Sequence, residues 1–313
     1  MLKFDIILPL FNPTKFVYDT IDSVLAQEYT YWHLWIVDDK SRKNILSELE
    51  IKYNSFLNKI SFIQLNENGG AAKARMIAIE QGKNELIAFI DQDDTWFPEK
   101  LRLQSEEFNK NPAISCVHTN IQITDENGRL LQSETNLDNK WRNDIDWNNL
   151  EGRQLTRTLY IANRIRFVSA VVRRASLLSI DGFNTNLFGG EDEDFWIRFS
   201  NKFRIGYLNK KLVTRKKHAN NTSEVCLPER ILGELKVAEE RAQDFNYLED
   251  LYPIKEKQLL LSGVRSSLYR KKYKLVRKFF RMIIKKYPTD FYLLLKSVRY
   301  IFAYLIKRLL GLI

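Results

Sequence analysis

Cysteine is almost absent: Cys116 and Cys226 are the only two in 313 residues, far apart and outside any CxxC or Cys/His cluster. That excludes a disulfide framework and a structural zinc site, and it fits a reducing compartment. Histidine is as scarce, at three residues, and glycine (12) and proline (7) are too few for a disordered or collagen-like chain. Long apolar runs are missing as well. The longest in the tail, residues 300–306, falls far short of the roughly 18–20 residues a spanning helix needs, so no transmembrane helix is expected. The opening Met1-Leu2-Lys3-Phe4-Asp5 meets an acid before any apolar stretch has built, unlike a secretory signal, and the protein is expected to stay inside the cell.

What is present is an ordinary globular composition, 44% hydrophobic and 28% charged, enough for one large or two modest domains. The net charge of +10 is unevenly placed. From residue 255 to the end, sixteen Lys/Arg face two acids, Glu256 and Asp290, so the tail carries +14 and the preceding residues −4. An acidic body with a basic, aromatic-rich, amphipathic tail points to a membrane surface and away from a nucleic-acid groove.

Hydrophobic periodicity predicts strands at 4–10, 34–37, 60–65 and 86–90, alternating with helices at 15–27, 44–57 and 71–81. Such alternation implies parallel βαβ units, whose ligands lie outside the carboxyl ends of the strands. Residues 98–109 continue as a helix, 114–124 as a strand, 167–172 as β and 175–180 as a helix. Asp181-Gly182 reads as a turn, 191–201 as a helix with acids in its first turn, and everything from 228 onward as helical. Residues 125–155, polar and weakly periodic around Trp141 and Trp147, read as an irregular insertion.

Several strand ends are chemically loaded. Asp91-Gln92-Asp93-Asp94 follows the buried strand 86–90 directly. Such a turn either caps the next helix in solvent or holds a hard cation such as Mg²⁺ or Mn²⁺ beside a diphosphate, and its place after a buried strand favours the second. Asp38-Asp39 is either a turn and helix cap or an acceptor for the imide N–H of a uracil or thymine ring. Asn68-Gly69-Gly70-Ala71-Ala72-Lys73-Ala74-Arg75 carries small residues into a helix, a plain junction or a place where backbone N–H groups approach a nucleotide. Gly189-Gly190 reads as a flexible diglycine ahead of Glu191-Asp192-Glu193-Asp194, and Phe195, Trp196 and Phe199 on the same helix imply that at least one of these acids lines a cleft, where it is a candidate general base. His33 and His118, in or beside strand patterns, read as structural.

Taken in order, these segments resemble family 2 glycosyltransferases of the GT-A fold. The resemblance rests on Ile6-Ile7-Leu8-Pro9-Leu10-Phe11-Asn12, Ile36-Val37-Asp38-Asp39-Lys40-Ser41, Asn68-Gly69-Gly70 with Arg75, and Phe89-Ile90-Asp91-Gln92-Asp93-Asp94-Thr95-Trp96-Phe97-Pro98-Glu99-Lys100-Leu101. Gly182-Phe183, Glu191 through Arg198, and the segment 215–223 around His218 complete it. About two thirds of the chain is covered. The fold implied is α/β, a Rossmann-like, mostly parallel sheet with flanking helices over residues 1–225, followed by a helical, basic, membrane-associating region over 226–313.

The activity implied is inverting transfer of a sugar from a nucleotide-diphosphate sugar, UDP by family frequency, to an acceptor hydroxyl in surface glycan synthesis. By the same resemblance Pro9 and Phe11 border the base, Asp39 binds its imide, Asn68 and Arg75 hold the nucleotide, and Asp91 contacts the ribose or the metal site. Asp93 coordinates Mn²⁺ or Mg²⁺, His218 completes the metal site, and Asp192 is the base. Phe11 stands where the family often has tyrosine, and Met76 where asparagine is frequent. A nucleotidyltransferase is disfavoured by the lack of a glycine-rich phosphate loop after Leu10, and a silent sugar-nucleotide or membrane-binding module is the non-enzymatic alternative.

In the tail, Leu275, Val276, Phe279, Phe280 and Ile283 fall on one helical face ringed by Lys274, Arg277, Lys278, Arg281 and Lys285. Residues 291–310 are nearly all apolar outside a stripe of Lys296, Arg299 and Lys307. Both patterns suit helices lying in an anionic bilayer surface, and a docked helical pair is the alternative. The expected location is cytoplasmic, peripheral on the inner face of the cell membrane, with a glycan or glycolipid acceptor at that surface.

Overall fold

The computed structural model describes residues 1–147, 149–163, 165–218, 221 and 228–309. They form two compact units: Met1–Leu159, Asn163–Thr185 and Phe195–His218 make the first, and Tyr160–Ala162, Asn186–Asp194 and the described residues from Asn221 onward the second. The boundary expected at 225/226, Cys226, and residues 219, 220, 222 and 223 of the histidine segment lie outside the described residues.

The first unit opens with β1 (Phe4–Leu10), α1 (Phe16–Leu25), β2 (Trp32–Asp38), α2 (Ile45–Lys52), β3 (Ile60–Gln64), α3 (Gly70–Gln81) and β4 (Leu86–Phe89). The chain continues with β5 (Thr95–Trp96), α4 (Lys100–Lys110), β6 (Ile114–Asp125), α5 (Gln132–Asn143), α6 (Gly152–Ile161), β7 (Val171–Arg173), α7 (Arg174–Leu178), α8 (Glu191–Lys202) and β8 (Arg204–Lys217); of these, the last two residues of α6 and Glu191–Asp194 of α8 are counted with the second unit. One sheet runs in the order β3-β2-β1-β4-β7-β6-β8-β5. Its first four strands are parallel, as their alternation with helices predicts.

These strands are apolar on both faces because both faces are covered. Phe4, Ile6 and Leu8 of β1 pack with Val17, Ile21 and Val24 of α1 and with Leu46 and Leu49 of α2. Ile7, with Ile87 and Phe89 of β4, packs with Ala72, Ala74 and Ala78 of α3 and with Phe195, Trp196 and Phe199 of α8. The chain moves from β1 to β2 and β3 on one side, then returns to place β4 on the other. The crevice between β1 and β4 is therefore the switch point of the sheet.

Two stretches depart from the sequence reading. The insertion at 125–155 is not irregular: it carries α5 and the start of α6. The helix α5 hides from hydrophobic periodicity because its inward face is polar. Thr135 Oγ1 accepts from the Ile123 N–H (2.8 Å), and the Asn139 side chain accepts from the Ile121 N–H (3.1 Å) while donating to the Ile121 carbonyl (2.7 Å). The second departure is β8, fourteen residues long and rich in Lys and Arg, which pairs parallel to β6 and antiparallel to β5.

The second unit is helical, with α9 (Pro228–Asp244), α10 (Tyr252–Tyr269), α11 (Tyr273–Lys286) and α12 (Phe291–Leu309). The predicted apolar face of α11 is used internally: Val276, Phe279 and Ile283 are buried, and a Cβ at Gly263 of α10 would lie 2.6 Å from the Phe279 ring. No helix among the described residues is long and apolar enough to cross a membrane.

A buried polar knot holds the amino-terminal edge of the parallel sheet. Asp5, 1% exposed, accepts from Trp35 Nε1 (3.0 Å), from the Asn84 N–H and side chain (both 2.8 Å), and from Arg174 (2.6 Å). Removing one member of a buried pair strands the other charge. Asp5→Ala is expected to cost about 3–5 kcal/mol in urea unfolding, and a loss below about 1 kcal/mol would show that the knot is dispensable.

Candidate active site

The carboxyl ends of β1, β2 and β3 lie level, with Leu10 opposite Asp38 and Asp38 opposite Gln64. The β4 ladder reaches only Ile7, so the missing N–H of Pro9 falls beyond it, where the sheet parts. The two loops that leave this crevice are joined by Gln92. Its Oε1 accepts from the Phe11 N–H (2.9 Å) and its Nε2 donates to the Phe11 carbonyl (3.3 Å). Phe11 is thereby held at the surface, 47% exposed. Asn12 follows at φ +45°, a left-handed conformation that asparagine tolerates, with its N–H donated to Ser41 Oγ (2.8 Å).

Asp38 and Asp39 are both buried and do different things. Asp38 accepts from Ser41, whose N–H and hydroxyl both reach it, and from Gln64 Nε2 (2.7 Å), so it ties the ends of β2 and β3. Asp39 caps α3: its Oδ1 accepts from the Gly69 N–H and its Oδ2 from the Gly70 N–H, each at 2.7 Å. The positive end of the helix favours that anion. Gly70, at φ +83°, supplies the turn, and Asn68 Nδ2 donates to the Asp39 carbonyl (3.1 Å). The predicted trio Asp39, Asn68 and Gly69-Gly70 is thus one hydrogen-bonded loop.

One turn into α3, Arg75 is 6% exposed rather than superficial. Its guanidinium donates to Asp91 Oδ1 (3.1 Å) and stacks over Phe167 and Phe183, 5.2 and 5.5 Å from the ring centroids. Asp93 and His218 also meet, Oδ2 to Nε2 at 2.9 Å, with the imidazole against Phe16. β8 makes that meeting possible: the Lys216 N–H donates to Asp94 Oδ1 (3.2 Å), which leaves His218 at the strand's end beside the acidic turn. Asp94 is buried under β8, and burial, then Asp93 and Asp91, push its carboxyl well above the usual range.

No group of three or more His, Cys, Asp or Glu side chains poised for a metal occurs among the described residues. Asp93 and His218 supply one hard oxygen and one imidazole nitrogen. That pair fits Mn²⁺ or Mg²⁺ when a diphosphate and water provide the remaining ligands. His33 and His118 are structural, as expected. His33 bonds Ser61 (2.9 Å), and His118 is wholly buried between Trp147 and Tyr207, its basicity lowered by burial and by Arg142. Gln92 was overlooked in the sequence although it stands between the two acids of the turn, and nothing in the polar text of β8 announces a strand.

Asp192 belongs to the second unit, in the first turn of α8 and only partly exposed. In that unit Glu234 of α9 is pushed up to about 7, by burial first and then by Glu193, against the opposing pull of Lys255 and Arg230.

A mostly parallel sheet with flanking helices, parted at a switch point that gathers a DxD turn and a helix-capping carboxylate, defines a GT-A type of nucleotide-sugar transferase fold. S. aureus TarS 1-349, solved in complex with UDP-GlcNAc, superposes with a TM-score of 0.57 over 99% of this chain and 92% of that one at 18% identity, a likeness of fold. Residues 5–179, more than half of the chain, match the model for Glycosyl transferase family 2, and the chain belongs to that family. It is 28% identical over 218 residues to the chondroitin synthase of Pasteurella multocida, covering 70% of this chain and 21% of that protein. It is 35% identical over 123 residues to the UDP-Glc:alpha-D-GlcNAc-diphosphoundecaprenol beta-1,3-glucosyltransferase WfgD of Escherichia coli, covering 39% of this chain and 47% of that protein. The chain thus spans less than half the length of either relative.

The raised Glu234 gives a pH dependence of defined sign. A carboxyl that binds its proton more tightly when folded stabilises fully below the unfolded value near 4.5, and that contribution is lost as pH rises through about 7. Glu234→Gln should therefore match the wild type in Tm near pH 4 and exceed it at pH 8, by roughly 2 kcal/mol in unfolding free energy. Equal Tm values at both pH values would refute the burial of this charge.

Proposed function

We propose that this chain is an inverting glycosyltransferase that moves a sugar from a nucleotide-diphosphate sugar, a UDP-sugar first among them, to an acceptor hydroxyl in surface glycan synthesis. The observation that carries the reading is the β1/β4 crevice, where the capped Asp39 loop, the Arg75–Asp91 pair and the Asp93–His218 pair meet at the carboxyl ends of the strands. WfgD's name, with its UDP-glucose donor and lipid-linked acceptor, and the UDP-GlcNAc held by TarS support the donor class and a glycolipid acceptor.

In this reading Phe11 and Pro9 flank the base. Asp39 receives the imide N–H on the lone pairs left over from the helix cap. Asn68 and Arg75 fix the loop and the Asp91 carboxylate against the nucleotide. Asp93 and His218 would hold a divalent ion, which would supply charge stabilisation to the leaving diphosphate. Asp192 takes the proton of the acceptor hydroxyl as its oxygen bonds to the anomeric carbon. The bond from that carbon to the diphosphate oxygen breaks with its electron pair going to the diphosphate, and a single displacement inverts the centre. No acid is required on the leaving side.

The partner surface is an anionic bilayer, met by α12, and the location is peripheral on the inner face of the cell membrane. While α11 buries Val276, Phe279 and Ile283, α12 presents Phe291, Tyr292, Leu295, Phe302 and Ile306 to solvent, from 80% exposed at Phe291 to 53% at Ile306. The basic residues Lys274, Arg277, Lys278, Arg281 and Lys285 are exposed on α11. An apolar row with cations in the same unit suits a headgroup region, at about 1 kcal/mol for each Lys or Arg near the surface.

Two measurements test this. Thermal-shift titration with UDP, dTDP, GDP and CDP, each with and without Mn²⁺, should show metal-dependent stabilisation by a uridine or thymidine nucleotide, about 2.7 kcal/mol at a hundred times Kd, that Asp93→Ala abolishes. Stabilisation by none of the four would favour the silent-module reading. Sedimentation with phosphatidylglycerol-rich vesicles should be lost in the full-length triple variant Phe291→Ser, Leu295→Ser, Phe302→Ser, and pelleting that persists there would remove α12 as the contact.

A further inference from the structure

Four consecutive carboxylates, Glu191 to Asp194, occupy the first turn of α8. At such spacing they repel one another. Glu191, Glu193 and Asp194 each meet a cation from α9 or α10. Glu191 pairs with Arg230 (3.3 Å), Glu193 with Lys255 (2.9 Å) and Asp194 with Arg241 (3.5 Å). The Asp194 and Lys255 side chains are 1% and 6% exposed, so these charges are screened little by solvent. These three acids flank Asp192 in the chain.

The backbone entering the turn is seated on α9 with equal tightness. A Cβ at Gly189 would lie 2.6 Å from Arg230 Cα, one at Gly190 3.1 Å from Glu234 Cα, and one at Gly233 2.4 Å from the Phe188 carbonyl oxygen. Gly189 and Gly190 also hold φ at +90° and +80°, which side chains rarely adopt. The diglycine expected to be flexible is a close-packed contact.

We propose that α9 and α10 belong to the transfer apparatus: Arg230, Lys255 and Arg241 are positioning residues that neutralise the three carboxylates around Asp192 and, with the glycine seat, fix the turn from which it takes the acceptor proton. This rests on the reading of Asp192 as the base. Charged groups at the turn include Glu191, Glu193 and Asp194 of α8, Arg230, Glu234 and Arg241 of α9, and Lys255 of α10. Removing the Lys255 charge leaves Glu193 and Glu234 at the turn that carries Asp192 without their shared cation. Asp192 then holds its proton to higher pH, and the fraction competent as a base falls near neutrality.

The test uses the full chain and four variants: Lys255→Met, its charge-keeping control Lys255→Arg, Arg230→Met, and Asp192→Asn. UDP release from whichever UDP-sugar the wild type turns over fastest, followed from pH 5 to 9, yields kcat, KM and the acid limb. Thermal shift with UDP and Mn²⁺ reports nucleotide binding. Lys255→Met is expected to lower kcat roughly tenfold near pH 6.5 and to move the acid limb up by about one pH unit, with KM and UDP stabilisation unchanged within about twofold, and Lys255→Arg to restore both. Unaltered kcat and limb in Lys255→Met, with Asp192→Asn inactive, overturn the proposal and leave the base reading standing. Turnover surviving in Asp192→Asn overturns both. Parallel loss of kcat and UDP stabilisation makes Lys255 a support of the fold alone and also overturns it. If Lys255→Met does not fold, Arg230→Met carries the same expectations.

Discussion

Crowding of carboxylates is the constraint from which most of this structure follows. Asp38, Asp39, Asp91, Asp93 and Asp94 gather at the ends of neighbouring strands, and Glu191 to Asp194 fill one helical turn. Each group is answered by a different device. Asp39 takes two helix N–H groups, Asp38 a serine and a glutamine, Asp91 a buried arginine, Asp93 a histidine, and Asp94 retreats under β8. The acids of α8 take cations from α9 and α10. Where charge is compensated by a backbone dipole or a fixed guanidinium, the side chain is also oriented, so neutralisation and positioning are one event.

The mixed half of the sheet serves the same end. β6 and β8 run side by side, β5 pairs β8 through Thr95 and Trp96, and the acidic turn is thereby caught between β4 and a strand that comes from more than a hundred residues later. His218 reaches Asp93 only because β8 is long enough to carry it there. Shortening or shifting β8 by one residue would turn Lys216, Lys217 and His218 to opposite faces, since side chains alternate along a strand.

How much of this the chain announces varies with the kind of force involved. The parallel half is legible because both faces of β1 and β4 are buried in apolar contacts, and burial writes itself as runs of Ile, Leu and Phe. The loaded strand ends are legible as motif. β8 is not, because only Ile205, Leu212 and Val213 of its fourteen residues are fully buried hydrophobics and its backbone pairing leaves no trace in hydropathy. α5 is hidden for the converse reason: Thr135 and Asn139 replace apolar contacts with hydrogen bonds to the β6 backbone. Gly189-Gly190 shows a third limit, since a glycine required for close approach and one that loosens a loop read identically until the neighbour is known.

The basic tail resolves the same ambiguity for charge. Its excess of cations reads as a single patch, yet it divides into two populations. Lys255, Lys257, Lys272 and Lys286 are engaged inside the unit, with Glu193, Asp290, Glu229 and Glu256, and they hold the helices together. Lys274, Arg277, Lys278, Arg281 and Lys285 face outward on α11. α11 and α12 both pack on α10, and α12 leaves its aromatic and aliphatic row uncovered among the described residues. Here Leu293, Ser297 and Tyr304 lie buried while Phe291 and Phe302 point to solvent, so α12 buries one face and leaves a second, apolar row open.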